Sequence, residues 1–222
     1  MGRKDEIRRR IRLKILLSEI PPGAVLDEEA LAAEFGVSRT PIREICAHLV
    51  AEGTASYLRG RGACVPSVTS DAIDGIFEAV GSTYPAVFGL ACERIDALEL
   101  VQLRGLYNGL VALTPLGPRE LRAGRYLDFM ALCADASRNP YLARSVHQLV
   151  REECRHAIAM ARLAEIDDVA ATPLERLVAA CGPILGALER RDAVALTSAL
   201  DARLAATRDA MFRRVSVVGL ER

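Results

Sequence analysis

Apolar residues in the first third of the chain recur at helical spacing, with short breaks between the runs. Ile7, Ile11, Ile15, Leu16 and Leu17 predict a first helix over 3–19, ringed by Arg8, Arg9, Arg10, Arg12 and Lys14. Pro21, Pro22 and Gly23 stop it. The stretch 26–49, LDEEALAAEFGVSRTPIREICAHL, predicts two short helices joined by a tight turn. Asp27 is placed to cap the first, Leu31, Ala32 and Phe35 give it one apolar side, and Gly36 ends it. Ser38 is placed to cap the second, and Pro41 falls in its first turn, where a missing N–H costs no bond. Ile42, Ile45, Cys46 and Leu49 then form a stripe at i, i+3, i+4 and i+7. At about 100° per residue, Arg39, Thr40, Arg43, Glu44 and Ala47 lie opposite that stripe. Residues 54–58, the run Arg59-Gly60-Arg61-Gly62 and residues 63–65 predict a strand, a glycine-rich turn and a second strand.

From residue 71 the pattern is entirely helical. Segments of helix length run at 71–93, 97–113, 118–136, 139–164, 172–190 and 192–214. Turn signals separate them at 114–118, 137–140, 167–168 with 172–173, and 190–192. Pro85 interrupts the first segment and Pro183 the fifth, and each is expected to kink its helix. Six apolar-striped helices with short connections make a bundle. The expected fold is therefore mostly α: a winged helix–turn–helix over 1–68, a linker at 66–70, a six-helix bundle over 71–214 and a tail at 215–222.

Composition changes this picture little. Of 222 residues 51% are hydrophobic, enough for two cores, and the net charge is zero. The charge is uneven: residues 1–68 hold eleven Lys/Arg against nine Asp/Glu, and residues 1–14 alone hold seven against two. A basic front joined to a slightly acidic remainder fits a nucleic-acid reader fused to something else. No apolar run follows the N-terminal charges, and no segment approaches the roughly 20 apolar residues of a membrane helix, so a cytoplasmic protein without membrane contact is expected. Six scattered cysteines without a CxxC read as reduced, buried thiols.

Two arginines four residues apart near the start of a helix suit a major-groove reader, whose guanidinium forks take phosphate oxygens or guanine O6 and N7. An ordinary helical hairpin with a solvated Arg/Glu face has the same pattern. The strand–turn–strand that follows favours the first reading, because a basic tip there is a wing able to reach the minor groove. The arginines of the first helix fit either a phosphate-facing or a solvated flank.

Residues 6–65 resemble the winged helix–turn–helix domain of GntR-family transcription regulators, through Pro22-Gly23, LeuAspGluGluAlaLeuAla at 26–32, PheGlyValSerArgThrProIleArgGlu at 35–44 and GlyArgGlyAlaCysVal at 60–65. The resemblance implies DNA contacts at Ser38, Arg39, Thr40, Arg43 and, in the wing, Gly60, Arg61 and Gly62. Glu29 stands where the family often has a basic contact. Thr54 and Ala55 replace the usual apolar pair, which is expected to loosen the base of the wing. Residues 71–214 resemble the FCD effector domain of the FadR-like branch, through Leu90-Ala91, AlaSerArgAsnPro at 136–140 and IleLeuGlyAlaLeuGluArgArgAsp at 184–192.

Many FCD domains bind a divalent metal with an Asp or Asn and three His. Carried over by the landmarks, those positions fall at Tyr126, Met130, Cys181 and Arg203, none of the usual ligand type, so no metal or other cofactor is expected. The family's arginine and glutamate on the first bundle helix fall at Val80 and Tyr84. His147 and His156, nine residues apart on one helix, point to opposite sides and make no alternative metal site. No Ser or Cys has a base and an orienting acid, so catalysis is not expected. Tyr84, Tyr126, Met130, Cys181 and Arg203 either line a mostly apolar pocket, suited to an apolar or aromatic acid paired with Arg203, or fill a core with Arg203 at the surface.

The expected function is that of a ligand-responsive repressor. It would bind a pseudo-palindromic double-stranded DNA operator as a homodimer and answer to a small-molecule effector. The alternatives are a helical protein-interaction module with vestigial DNA binding and a small helical enzyme.

Overall fold

The computed structural model describes residues 2–113, 118–163 and 172–218, with side chains described as far as Arg213. Residues 114–117 of the predicted break at 114–118, the predicted break at 167–168 and the end of the tail, 219–222, lie outside the described residues. Two compact units divide the chain, Met1–Val68 and Thr69–Arg222.

The first unit holds α1 (Arg3–Leu16), α2 (Glu28–Phe35), α3 (Arg39–Ala51) and the antiparallel hairpin β1 (Ser56–Leu58) and β2 (Gly62–Cys64). Its core is Ile7, Ile11 and Ile15 of α1 against Leu31, Ile42, Ile45, Leu49 and Val65. Each fully buried Ile or Leu contributes roughly 1.5–3 kcal/mol. Helix α1 stops before the predicted 19, because Ser18 takes a positive φ and Glu19 and Ile20 both donate back to Lys14 O. Asp27 caps α2 by accepting from the N–H groups of Glu29 and Ala30, and Gly36 ends it in the left-handed region. Ser38 is the N-cap of α3 by position, but its side chain makes no capping bond. The hairpin starts later than expected. Thr54 and Ala55 both donate to Leu49 O at the end of α3, and both are buried, so pairing begins at Ser56 opposite Cys64. On the other edge of β2, Leu26 donates to Ala63 O and Val65 donates to Ala24 O, and these bonds tie the entry to α2 against the wing. Gly60 and Gly62 adopt φ of 80° and 87°, which the tight tip demands.

The second unit is all helix in its described residues: α4 (Ser70–Arg94), α5 (Ala97–Leu113), α6 (Arg119–Asp135), α7 (Pro140–Leu163), α8 (Pro173–Ala179), α9 (Cys181–Arg190) and α10 (Ala193–Val218). The six segments predicted from sequence are present. Pro85 lies inside α4, which continues past it, whereas the fifth segment divides at Ala180, two residues before Gly182-Pro183, into α8 and α9. Helix α10 packs on α4, α7, α8 and α9, while α6 packs on α5 and α7.

The SerArgAsnPro and ArgArgAsp motifs are staples of this bundle. Arg138 and Arg191 each sit at a helix end with positive φ, which turns the chain and throws the side chain across to a neighbouring helix. Arg138 pairs with Asp96 and Glu99 at the start of α5. Arg191 donates to the carbonyls of Cys92, Glu93 and Ile95, at 3.2, 2.8 and 2.6 Å, and so satisfies the end of α4. Asn139 and Asp192 then cap α7 and α10. We expect Arg191→Ala to destabilise the protein by about 1–3 kcal/mol in urea unfolding followed by helical ellipticity, because three carbonyls lose a charged donor. Arg191→Lys should recover only part of this loss, lacking the planar fork.

Candidate functional site

On the first unit, the apolar stripe of α3 fixes what the helix shows outside. Ile42, Ile45, Cys46 and Leu49 are buried, which leaves Ser38, Arg39, Thr40, Arg43, Glu44 and Ala47 exposed on one side. Arg59, Gly60 and Arg61 are exposed at the wing tip, with Gly62 half-buried below them. The basic flank of α1 is largely engaged within the unit. Arg8 and Arg12 pair with Glu52, Lys14 with Glu34, Lys4 with Glu44, and Arg10 lies 5.1 Å over the Phe35 ring. On α3, Arg43 Nε donates to Glu28 at 3.2 Å, while Arg39 stands 3.8 Å from both Glu28 and Glu29.

Inside the second unit, the five residues named from sequence are all buried. Tyr84 (α4), Tyr126 and Met130 (α6), Cys181 (α9) and Arg203 (α10) are all at most 2% exposed. Arg203 is thus a core residue and not a surface one. Its charge is cancelled by Glu153 of α7, itself fully buried, which receives a hydrogen bond from Nη2. Nη2 also donates to the Tyr126 hydroxyl at 2.6 Å, Tyr84 donates to Glu153 over a longer 3.4 Å, and the guanidinium lies 5.1 Å over the Tyr84 ring. Burial, then the Glu153 charge, push the Tyr84 phenol well up. Burial does the same to Tyr126 against the opposing pull of Arg203. Both therefore stay protonated and serve as neutral hydrogen-bonding groups.

This cluster occupies the place where the resemblance puts a metal, and its donors do not fit one. A phenol, a thioether and a deeply buried thiol that burial pushes up to about 12 are poor ligands for a divalent ion, and a guanidinium is a fixed cation. Among the described residues no three His, Cys, Asp or Glu side chains are arranged to hold a metal. The two histidines of the second unit face other groups. His147 faces Asp135 at 3.1 Å, and His156 Nδ1 bonds Glu152 O at 2.8 Å. Glu153 Oε1, Arg203 Nε and Nη1, and the Thr207 hydroxyl, one turn beyond Arg203, are buried with no partner among the described residues.

With this geometry in view, the comparisons are decisive. The family model for bacterial regulatory proteins of the gntR family matches residues 3–65, and the FCD domain model matches residues 84–206, more than half of the chain. The chain belongs to the GntR family. An HTH-type transcriptional regulator in an unstable DNA locus of Streptomyces ambofaciens is 41% identical over 65 residues, 29% of this chain and 28% of that protein. The Nta operon transcriptional regulator of Aminobacter aminovorans is 30% identical over 83 residues, 37% of this chain and 40% of that protein. The match thus spans less than half the length of either relative. Among solved structures, E. coli McbR/YncC superposes with a TM-score of 0.76 at 20% identity, over 99% of this chain and 98% of that one. A structure from Rhodococcus sp. RHA1, described as a transcriptional regulator GntR, gives 0.68 at 19% over the whole of both chains. These two likenesses establish the fold.

Two residues of this GntR regulator's candidate sites escaped the sequence reading. Glu153 lies in ArgGluGluCysArgHis, a polar run that reads as surface; only the packing of α7 against α4 and α10 shows it to be buried. Glu28 reads as a first-turn acid that favours the helix dipole, and its grip on Arg43 is visible only in three dimensions.

The buried pair generates a stability prediction. Arg203→Met leaves Glu153 buried and unpaired and should cost about 3–5 kcal/mol, whereas Arg203→Met combined with Glu153→Leu should recover most of that loss in the same denaturant titration. His156 supplies a pH prediction. Burial first, then Arg155, depress its pKa to about 3, against the opposing effect of its bond to Glu152 O. The unfolded chain therefore binds the extra proton below about 6.5, so stability is full above that value and is lost as pH falls towards about 3, at roughly 1.4 kcal/mol per unit. His156→Gln should flatten this part of the stability–pH curve.

Proposed function

We propose that this GntR-family transcription regulator is a ligand-responsive repressor whose first unit reads a pseudo-palindromic DNA operator, with two copies of the chain supplying one recognition helix each. One observation carries the reading: the buried stripe of α3 leaves Ser38, Arg39, Thr40 and Arg43 together on an exposed helix start, and Gly60, Arg61 and Gly62 lie on a second exposed, basic element. A helix start offers backbone N–H groups and a positive dipole end to phosphates, and the guanidinium forks offer base contacts. One short helix buries too little for useful specificity, which is why we assign a dimer. None of the described helices is long and apolar enough to cross a membrane; on this reading the protein works in the cytoplasm, where a bacterial regulator meets its DNA.

The effector, in this reading, is a small, mostly apolar molecule held at the bundle centre beside Tyr84, Tyr126, Met130, Cys181 and Arg203. Glu153 already neutralises Arg203. An acidic head group must therefore displace Glu153 or bring a proton with it, since two carboxylates on one buried guanidinium share a proton. An uncharged hydrogen-bonding head would match the unpartnered donors and acceptors once the packed side chains make room for it. Ligand binding would shift the spacing or mobility of the two reading heads.

Selection from a random DNA pool by the purified protein tests the reading and should return a two-fold-related pair of half-sites. Arg43→Ala should then cost about 1–3 kcal/mol on the selected site and much less on random duplex. Arg61→Ala should weaken both alike and lower the salt slope by about one. Failure to enrich any sequence would refute the assignment.

A further inference from the structure

Both arginines of the proposed reading edge lean on acids of the preceding helix. Arg43 Nε donates to Glu28 Oε2 at 3.2 Å, and Arg39 Nη2 stands 3.8 Å from that same oxygen. Glu28 is the shielded member of the group, its side chain 26% exposed against 81% for Glu29. It is the first residue of α2, whose start the Asp27 cap holds through the N–H groups of Glu29 and Ala30, and its negative charge is favoured at a helix N-terminus.

The grip decides how Arg43 is presented. A guanidinium carries five N–H donors in one plane, and each edge offers a different fork. With Nε committed to Glu28, the two terminal Nη groups have no partner among the described residues, and the side chain remains 71% exposed. That terminal fork can span O6 and N7 of a guanine, whereas the Nε edge is taken by Glu28. A free arginine side chain populates many rotamers, so holding the fork in place removes an entropy loss from the binding step. The same carboxylate repels every phosphate in reach, which weakens attachment to DNA that offers no base contact in return.

We propose that Glu28 is a positioning and specificity-determining residue of the DNA site: it holds the Arg43 guanidinium end-on for a guanine, with Arg39 beside it, and lowers affinity for non-specific DNA. This rests on the reading of α3 as the recognition helix. Glu29 separates charge from positioning. It carries the same charge next to Arg39, but at 3.8 Å it makes no hydrogen bond and is almost fully solvated.

The test uses the full chain and measures binding to the selected site and to a random duplex of equal length at several salt concentrations. Thermal melting and repeat selection accompany each variant. Glu29→Gln should tighten both DNAs alike and leave the selected sequence unchanged. Glu28→Ala should tighten the random duplex but not the selected site, lowering their affinity ratio about tenfold. It should also relax the guanine preference at the one half-site position that Arg43→Ala relaxes. Glu28→Gln, whose amide oxygen still accepts from Nε, should recover part of the ratio. Equal tightening on both DNAs by Glu28→Ala would reduce Glu28 to a repelling charge and overturn the proposal. Equal weakening with a lowered melting temperature would make it merely structural and overturn it too. Should Arg43→Ala leave the ratio untouched, the recognition-helix reading itself fails, and the proposal falls with it.

Discussion

A guanidinium cannot shed its proton at any accessible pH, so a fully buried arginine must be met by an equal and opposite charge. Arg203 is such a residue, and much of the bundle centre is arranged around that requirement. Glu153 supplies the charge, Tyr126 and Tyr84 complete the hydrogen-bonding shell, and these four side chains arrive from four different helices. Desolvation opposes the charged state of Arg203, yet the field of Glu153 and the two phenols outweighs it and raises its pKa further. The cluster thus links α4, α6, α7 and α10 by charge as well as by apolar contact. Where the resemblance implies a metal cation, the chain supplies a cation of its own.

The first unit follows a simpler rule. Its small core needs the apolar sides of α1, α2 and α3, and burying those stripes forces the polar sides outward. Exposure of Arg39 and Arg43 is a by-product of burying Ile42, Ile45 and Leu49. Lys4, Arg8, Arg12 and Lys14 of α1 pair with carboxylates within the unit, and Arg39 and Arg43 of α3 lean on Glu28 and Glu29.

The sequence by itself determined the elements and their outward faces. Helical periodicity located the three helices of the first unit and the six helical segments of the second, since that signal is local and repeats over many residues. Cap and break residues such as Asp27, Gly36 and Asn139 located most ends, because capping is settled within three or four residues. The family resemblance also singled out Tyr84, Tyr126, Met130, Cys181 and Arg203, all of which the structure buries. Only the tertiary structure decided what those residues do. Whether Arg203 lies in the core or at the surface depends on which helix covers α10, and its partner Glu153 is fifty positions away in the chain. The grip of Glu28 on Arg43 likewise depends on the crossing of α2 and α3. Pairings of this kind have no period and no fixed spacing, so no local pattern in the sequence encodes them; they exist once packing has brought the two side chains together and removed the water between them.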